Sequence, residues 1–138
     1  MLIVDTGPLV AIADADDRHH RVCVDLVAGD VGPLLTTALV VAEAGWLIRR
    51  QLSIEAEVAL YRSIAAAQLH IEPLSERDWD RIGELLEQYS DLGLDAADAS
   101  VVAVAERLGL TTVATLDVRD FHVVRPRHCQ AFTLVPQL

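Results

Sequence analysis

The sequence predicts an α/β fold with a mainly parallel central sheet, and three observations lead there. Short apolar runs alternate with longer helical patterns along the 138 residues. Two of those runs, Leu2-Ile3-Val4 and Val113-Ala114-Thr115-Leu116, lead straight into an aspartate, Asp5 and Asp117. Open parallel sheets bind their ligands at that carboxyl edge of the strands. Finally, 52% of the residues are apolar. A chain of this length can then take roughly 68% of its unfolded surface out of water.

The elements follow in order. Leu2 to Val4 forms the first strand, and Pro8 suits the first turn of the helix after it. A second helix covers about His20 to Ala28 and ends at Gly29; Leu34 to Thr36 is a short strand. Thr37 caps a helix to about Gln51, and Ser53 caps the next. Leu69 to Ile71 reads as a strand, and Ser75 opens a charged amphipathic helix to about Tyr89. A helix from Asp95 to Leu108 stops at Gly109, a natural C′ residue. Strands to Leu116 and from Phe132 to Val135 complete the sheet. No repeat, linker or low-complexity stretch divides residues 1–138, so one domain is expected.

Composition narrows the function. Eleven basic residues face 21 acidic ones, a net charge of −10, and every basic residue is arginine. This argues against a nucleic-acid coating protein, whose affinity comes from cations on phosphates. It leaves room for an enzyme that meets phosphate through metal ions. The N-terminus lacks the basic segment of a signal peptide, and no apolar run approaches the 20 or so residues of a membrane span. A cytoplasmic protein is expected, with Cys23 and Cys129 as reduced thiols outside any zinc-like spacing.

Four acids stand where carboxylates are expensive: Asp5, Glu43, Asp98 and Asp117. On a helix, Glu43 has Val40, Trp46 and Leu47 as same-face neighbours; Asp98 has Leu94, Val101, Val102 and Ala105. Converging without a cation, four such groups would repel one another and hold protons. A hard divalent ion, Mg²⁺ or Mn²⁺, is the simplest compensation. For Glu43 the competing reading is a buried ion pair with Arg50. Asp95 serves equally well as a helix cap or an accessory acid. Asp120 reads as a turn residue rather than an outer ligand. Thr6 and Thr115 adjoin the strand-end aspartates and can orient them. Glu76, Asp78, Asp80, Glu84 and Glu87 belong to the charged helix and are expected in solvent, like Asp14, Asp16 and Asp17 in a polar turn. The five histidines share no motif with the acids and read as surface or turn residues. Phosphate contacts are sought at Arg49 and Arg50, and around Arg119, His122, Arg125, Arg127 and His128, the second group being preferred as a phosphate-facing rim.

Leu2-Ile3-Val4-Asp5-Thr6, the helical Glu43, Asp98-Ala99-Ser100 and Ala114-Thr115-Leu116-Asp117 occur in this order. Together with the segment YSDLGLDAADASVVAVAERLGL they resemble a PIN domain, most closely the VapC ribonuclease toxins, over essentially the whole chain. The resemblance implies a parallel sheet flanked by helices and a Mg²⁺- or Mn²⁺-dependent endoribonuclease. It places the family's acidic set on Asp5, Glu43, Asp98 and Asp117, with Asp5, Asp98 and Asp117 as the main metal ligands. It also implies an RNA substrate, a homodimer, and a cognate VapB-type antitoxin that holds the toxin inactive. Asp95 departs from the family pattern, where a small or apolar residue is commoner.

Other classes fit less well. A receiver domain needs a lysine near its last strand, and this chain has none. A haloacid-dehalogenase-type phosphatase needs a DxD motif, whereas Asp5 is followed by Thr6-Gly7. The triplet Asp5-Thr6-Gly7 matches aspartic proteases, but those are all-β. The remaining alternative is a catalytically silent PIN-fold module acting through protein contacts.

Overall fold

The computed structural model describes residues 1–29 and 32–138. Three-residue Leu2–Val4 (β1) is buried at every position and lies between Leu34–Thr36 (β2) and Thr112–Ala114 (β4). His70–Ile71 (β3) extends the sheet beyond β2, and Thr133–Val135 (β5) extends it beyond β4. The order is β3-β2-β1-β4-β5 and every pairing is parallel. A central strand covered on both faces has no polar side to alternate, which explains the unbroken Leu-Ile-Val run. The order changes direction at β1, so the crevice beside its carboxyl end is a topological switch point.

Seven α-helices accompany the sheet among the described residues: Thr6–Ala13 (α1), His20–Ala28 (α2), Ala38–Gln51 (α3), Ile54–Ala65 (α4), Glu76–Gln88 (α5), Ala96–Leu108 (α6) and Val118–Val123 (α7). The expected caps hold: Thr37 accepts from the Val40 N–H and Ser53 from that of Ala56, and Gly109 takes the left-handed conformation at φ 70°. None of these helices is long and apolar enough to cross a membrane. Helix α6 is the core helix, with Ala97 to Ala105 buried without a break, packed on α5 and α3. A buried relay of hydroxyls ties α3 to α6. The Val40 N–H donates to Thr37 Oγ1, which lies 2.7 Å from Ser100 Oγ, and Ser100 donates to the Ala97 carbonyl.

The fold departs from expectation in three places. Helix α7 was not expected, and it takes in Asp120, the residue read as part of a turn. The strand before it stops at Ala114, although Thr115 still donates its N–H to the Val135 carbonyl. On α5, Asp78 is not solvated: it is 3% exposed, closes a capping box with Ser75 and receives Arg107 Nε at 3.0 Å. Glu84 is exposed, as expected, and is engaged by Arg81 one turn earlier and by Arg127. Arg107 and Arg127 come from α6 and beyond, a distance in sequence at which helical periodicity is silent. Cys23 and Cys129 are free thiols, the first buried.

Arg81 is the most committed cation of this network. It grips Glu106 with both Nε (2.8 Å) and a terminal nitrogen (3.0 Å), and both side chains are only 10% exposed. Removing one partner of such a pair strands the other charge. Arg81→Ala should therefore destabilise the fold by about 3–5 kcal/mol, and the double change Arg81→Met/Glu106→Leu by much less. Urea unfolding of the three proteins checks this, and equal losses in both variants would contradict it.

Candidate metal centre at the carboxyl edge of the sheet

Parallel β1 and β4 end side by side, so Asp5 and Asp117 emerge from neighbouring strands. Helix α6 runs back toward the start of β4, which puts its N-terminus, with Asp95 and Asp98, at the same edge. Helix α3 leaves β2 there too and carries Glu43 on its second turn. The topology thus brings all four acids of the sequence reading to one crevice.

Thr115 organises the pair of strand ends. Its hydroxyl donates to Asp5 Oδ2 at 2.8 Å and accepts the Asp117 N–H at 2.9 Å. Asp5 is 3% exposed, and its other oxygen, Oδ1, is buried with no hydrogen-bond partner among the described residues. Asp5 occupies the N-cap position of α1 yet makes no capping hydrogen bond, unlike Asp95 and Asp117 on their own helices. Its carboxylate is turned to another purpose. Glu43 is half-buried and accepts the Thr6 hydroxyl at 3.2 Å. The alternative pairing of Glu43 with Arg50 is not formed: Arg50 lies over the Trp46 ring, 5.0 Å from its centroid.

The tightest group is Asp98, Asp117 and Asp120, each offering one oxygen within 4.8 Å of the others. Asp120 is therefore a member of the cluster rather than a remote turn residue. It sits three residues after Asp117, which caps α7 by accepting the Asp120 N–H at 3.3 Å. The same geometry recurs on α6, where exposed Asp95 accepts the Asp98 N–H at 2.8 Å. Two Asp-x-x-Asp pairs thus place a cap and a third-position acid at two helix N-termini, whose dipoles favour negative charge. That shared spacing was the available signal for α7 and Asp120. The hydroxyl relay through Thr37 and Ser100, two residues beyond Asp98, had none.

The electrostatics are those of crowded, partly buried carboxylates. Burial, then the charges of Asp5, Asp95, Asp117 and Glu43, push the Asp98 carboxyl up to about 9. Burial pushes Asp5 up to about 6, opposed by the Thr6 backbone N–H and then the Thr115 hydroxyl, with Asp95 and Glu43 adding to the rise. Glu43 is raised by burial and by Asp95, and Asp120 by burial and by Asp117. An all-oxygen donor set with an orphaned buried oxygen fits a hard divalent ion.

The cationic rim is more uneven. Exposed Arg119 stands beside Asp120 and forms no ion pair among the described residues. Arg125 folds onto the His122 and Val124 carbonyls at the end of α7. Arg127 pairs with Glu84 and gives its backbone N–H to Glu106, eight residues beyond Asp98 and so roughly 12 Å along α6. His128 is half-buried against the Leu110 carbonyl rather than free at the surface.

Residues 2–125 match the family model described as PIN domain. The chain belongs to the PIN domain family. It is 28% identical over 135 residues to Ribonuclease VapC26 of Mycobacterium tuberculosis, covering 98% of this chain and all of that protein. In fold, this PIN domain is similar to the crystal structure of M. tuberculosis VapC20, a sarcin–ricin loop cleaving toxin. The TM-score there is 0.80 at 22% identity, over 86% of this chain and 92% of that one. It is also similar to VapBC2 of Rickettsia felis bound to a promoter DNA fragment (TM-score 0.66, 16% identity, 96% of both chains). A third match is FitAcB of Neisseria gonorrhoeae (TM-score 0.61, 22% identity, 85% of this chain and 88% of that one).

The raised acids set a sign for pH dependence. Asp98 at about 9 and Asp5 at about 6 both lie above the ordinary 3.8, so the folded protein binds more protons than the unfolded chain across that window. Metal-free stability must then fall as pH rises from about 4 toward 9. Asp98→Asn should flatten the slope and raise Tm at alkaline pH in EDTA. Thermal scans of the two proteins against pH test this; parallel profiles would mean that Asp98 is not under repulsion.

Proposed function

We propose that this PIN domain is a Mg²⁺-dependent endoribonuclease, with Mn²⁺ able to substitute, and the toxin of a toxin–antitoxin pair. The observation that carries the reading is the convergence of Asp5, Glu43, Asp98 and Asp117 at the carboxyl edge of the sheet, with an unpartnered buried oxygen on Asp5. The similarity to Ribonuclease VapC26 supports RNA as substrate. Asp98 and Asp117 would hold the ion with Asp5, and Asp120 offers a further oxygen. The chemistry supplied by a bound divalent ion is Lewis-acid polarisation of the phosphodiester and a lowered pKa for a water. Thr115 holds Asp5 in its orientation, and Thr6 does the same for Glu43. Glu43, more open than Asp5, is placed to orient the attacking water and take its proton. Exposed Arg119 is placed to meet a phosphate next to the one being cleaved.

Cleavage of a panel of structured RNAs tests the assignment. Wild type should cut at least one RNA with Mg²⁺ and none in EDTA. Asp5→Asn and Asp98→Asn should each lose at least about a hundredfold, more than loss of a supporting residue around a metal usually costs. Arg119→Ala should raise KM and weaken the salt dependence of binding. Mn²⁺ at about a hundred times its Kd should stabilise wild type by about 2.7 kcal/mol and leave Asp98→Asn nearly unmoved. Equal cleavage by every sample, or no Mn²⁺ stabilisation of wild type, would favour a catalytically silent binding module.

The partner reading draws on a second feature. An apolar groove of about 320 Å³ lies between α1, α2 and α4, lined by Leu9, Ile12, Val27, Leu34, Ala59 and Leu60 among others. Helix α4 packs on α3 but has no fully buried residue, so its flank of this groove stays open to solvent. An apolar segment of a VapB-type antitoxin would complete it, in keeping with the likeness to VapBC2 and FitAcB. Ala59→Trp, at an exposed lining position, should lower affinity for the cognate antitoxin at least tenfold in calorimetry while cleavage persists. Unchanged affinity would place the antitoxin elsewhere.

A further inference from the structure

Six residues of this chain are Phe, Trp or Tyr, and three of them, Trp46, Tyr61 and Trp79, are exposed; Trp46 is the one on the helix that carries Glu43. Trp46 on α3 is 57% exposed, although tryptophan is usually among the better-buried residues. Arg50, one turn further along, lies across its ring at 5.0 Å. Most other cations near carboxylates are committed: Arg49 to Glu57, Arg81 to Glu106, Arg107 to Asp78 and Arg127 to Glu84. Arg50 instead forms no ion pair among the described residues and holds its guanidinium over an indole.

The position on α3 decides what this pair serves. At about 100° per residue, Trp46 and Arg50 lie roughly 60° and 20° from the direction of Glu43 around the helix. They sit about 4.5 and 10.5 Å from it along the axis. The opposite flank carries Gly45, where an added Cβ would collide with the Tyr61 hydroxyl, and there α4 packs. Exposed Ile54, Val58 and Tyr61 belong to that α4 side. Trp46 and Arg50 therefore extend the stripe that starts at the carboxylate crevice and are set apart from the apolar face of α4.

An indole stacked with a guanidinium offers what an unpaired nucleotide needs: a π surface for the base and positive charge for its phosphate. In a protein of net charge −10, such a combination beside the acid cluster complements a polyanion. We propose that Trp46, with Arg50 laid on its ring, is a base-stacking platform for an unpaired ribonucleotide close to the scissile phosphate. This rests on the ribonuclease reading and names the substrate feature it requires, a single-stranded segment.

The chain has two tryptophans, Trp46 and Trp79, so Trp79→Phe leaves Trp46 as the sole indole reporter. In that background, hexa-adenylate in Ca²⁺ buffer should quench the fluorescence, and an abasic hexamer of equal charge should not. Trp46→Ala should raise the Kd for hexa-adenylate and the KM for a cleaved RNA by roughly 5- to 100-fold, the range of one lost base stack. Its kcat should change little. Trp46→Phe should recover part of the loss, and Arg50→Lys should fall between Arg50→Ala and wild type. Equal quenching by both hexamers, or an unchanged Kd in Trp46→Ala, would overturn the platform. So would a Trp46→Ala variant that loses only antitoxin affinity, since Trp46 would then be a protein contact. Selective quenching in a wild type that cleaves no RNA would keep the platform and remove the nuclease reading instead.

Discussion

Like charges crowded at the carboxyl edge of a short parallel sheet are the constraint around which this molecule is arranged. Asp5, Asp98 and Asp117 are brought together by strand order and helix direction, not by mutual attraction. In the absence of a cation their proximity opposes folding, and the protein opposes it in turn with several devices. Three helices begin at the crevice, with Asp5, Asp95 and Asp117 at their N-cap positions, so partial positive charge faces the acids. Thr115 supplies a directional hydrogen bond to the most buried carboxylate. What these groups leave unsatisfied, one oxygen of Asp5 and the raised proton affinity of Asp98, is the part a divalent ion would satisfy.

Rigidity beneath the crevice comes from the core helix. Helix α6 has nine consecutive buried residues, Ala97 to Ala105, many of them alanine or valine, which allows close approach to both α3 and α5. Small side chains give tight contact but little directional information about how one helix is set along another. The hydroxyl relay from Thr37 through Ser100 to Ala97 supplies that information, in the middle of an otherwise apolar interface. At the far end of α6, Glu106 and Arg107 join a network of ion pairs reaching α5 and the segment after α7. The helix that presents Asp98 is thus fixed at both ends by polar contacts and along its length by packing. A carboxylate held against repulsion needs that support, because a mobile helix would relax by moving it away.

Much of this was legible in the residues, for identifiable physical reasons. A carboxylate interrupting an apolar stripe, as at Glu43 and Asp98, is visible to helical periodicity alone. A carboxylate closing a buried strand, as at Asp5, is visible to strand length and hydropathy. What stayed hidden depends on contacts between distant segments or on competing local readings. Asp78 looked solvated because its partner Arg107 lies 29 residues away. Arg127 looked available for phosphate because its engagement with Glu84 and Glu106 spans 43 and 21 residues. Helix α7 was obscured because Val118-Arg119-Asp120 is too short for a periodic pattern, and only the Asp-x-x-Asp spacing it shares with α6 marks its start.

The same comparison separates two kinds of surface on α3. Its buried face, through Val40, Ala44 and Ile48, is determined by the core and would look alike in a protein of any function. Its exposed flank is not so determined: nothing in the core requires a tryptophan and an unpaired arginine beyond Glu43. The Gly45 flank, in contrast, is explained by α4, because Tyr61 occupies the space a side chain would need. Once packing has accounted for Val40, Ala44, Gly45 and Ile48, and the acid cluster for Glu43, Trp46 and Arg50 are what is left over. Trp79 on α5 is nearly as exposed, so exposure alone assigns no role; it is the place of Trp46 and Arg50, on the stripe that leads from the carboxylates, that fits the proposed nucleotide platform.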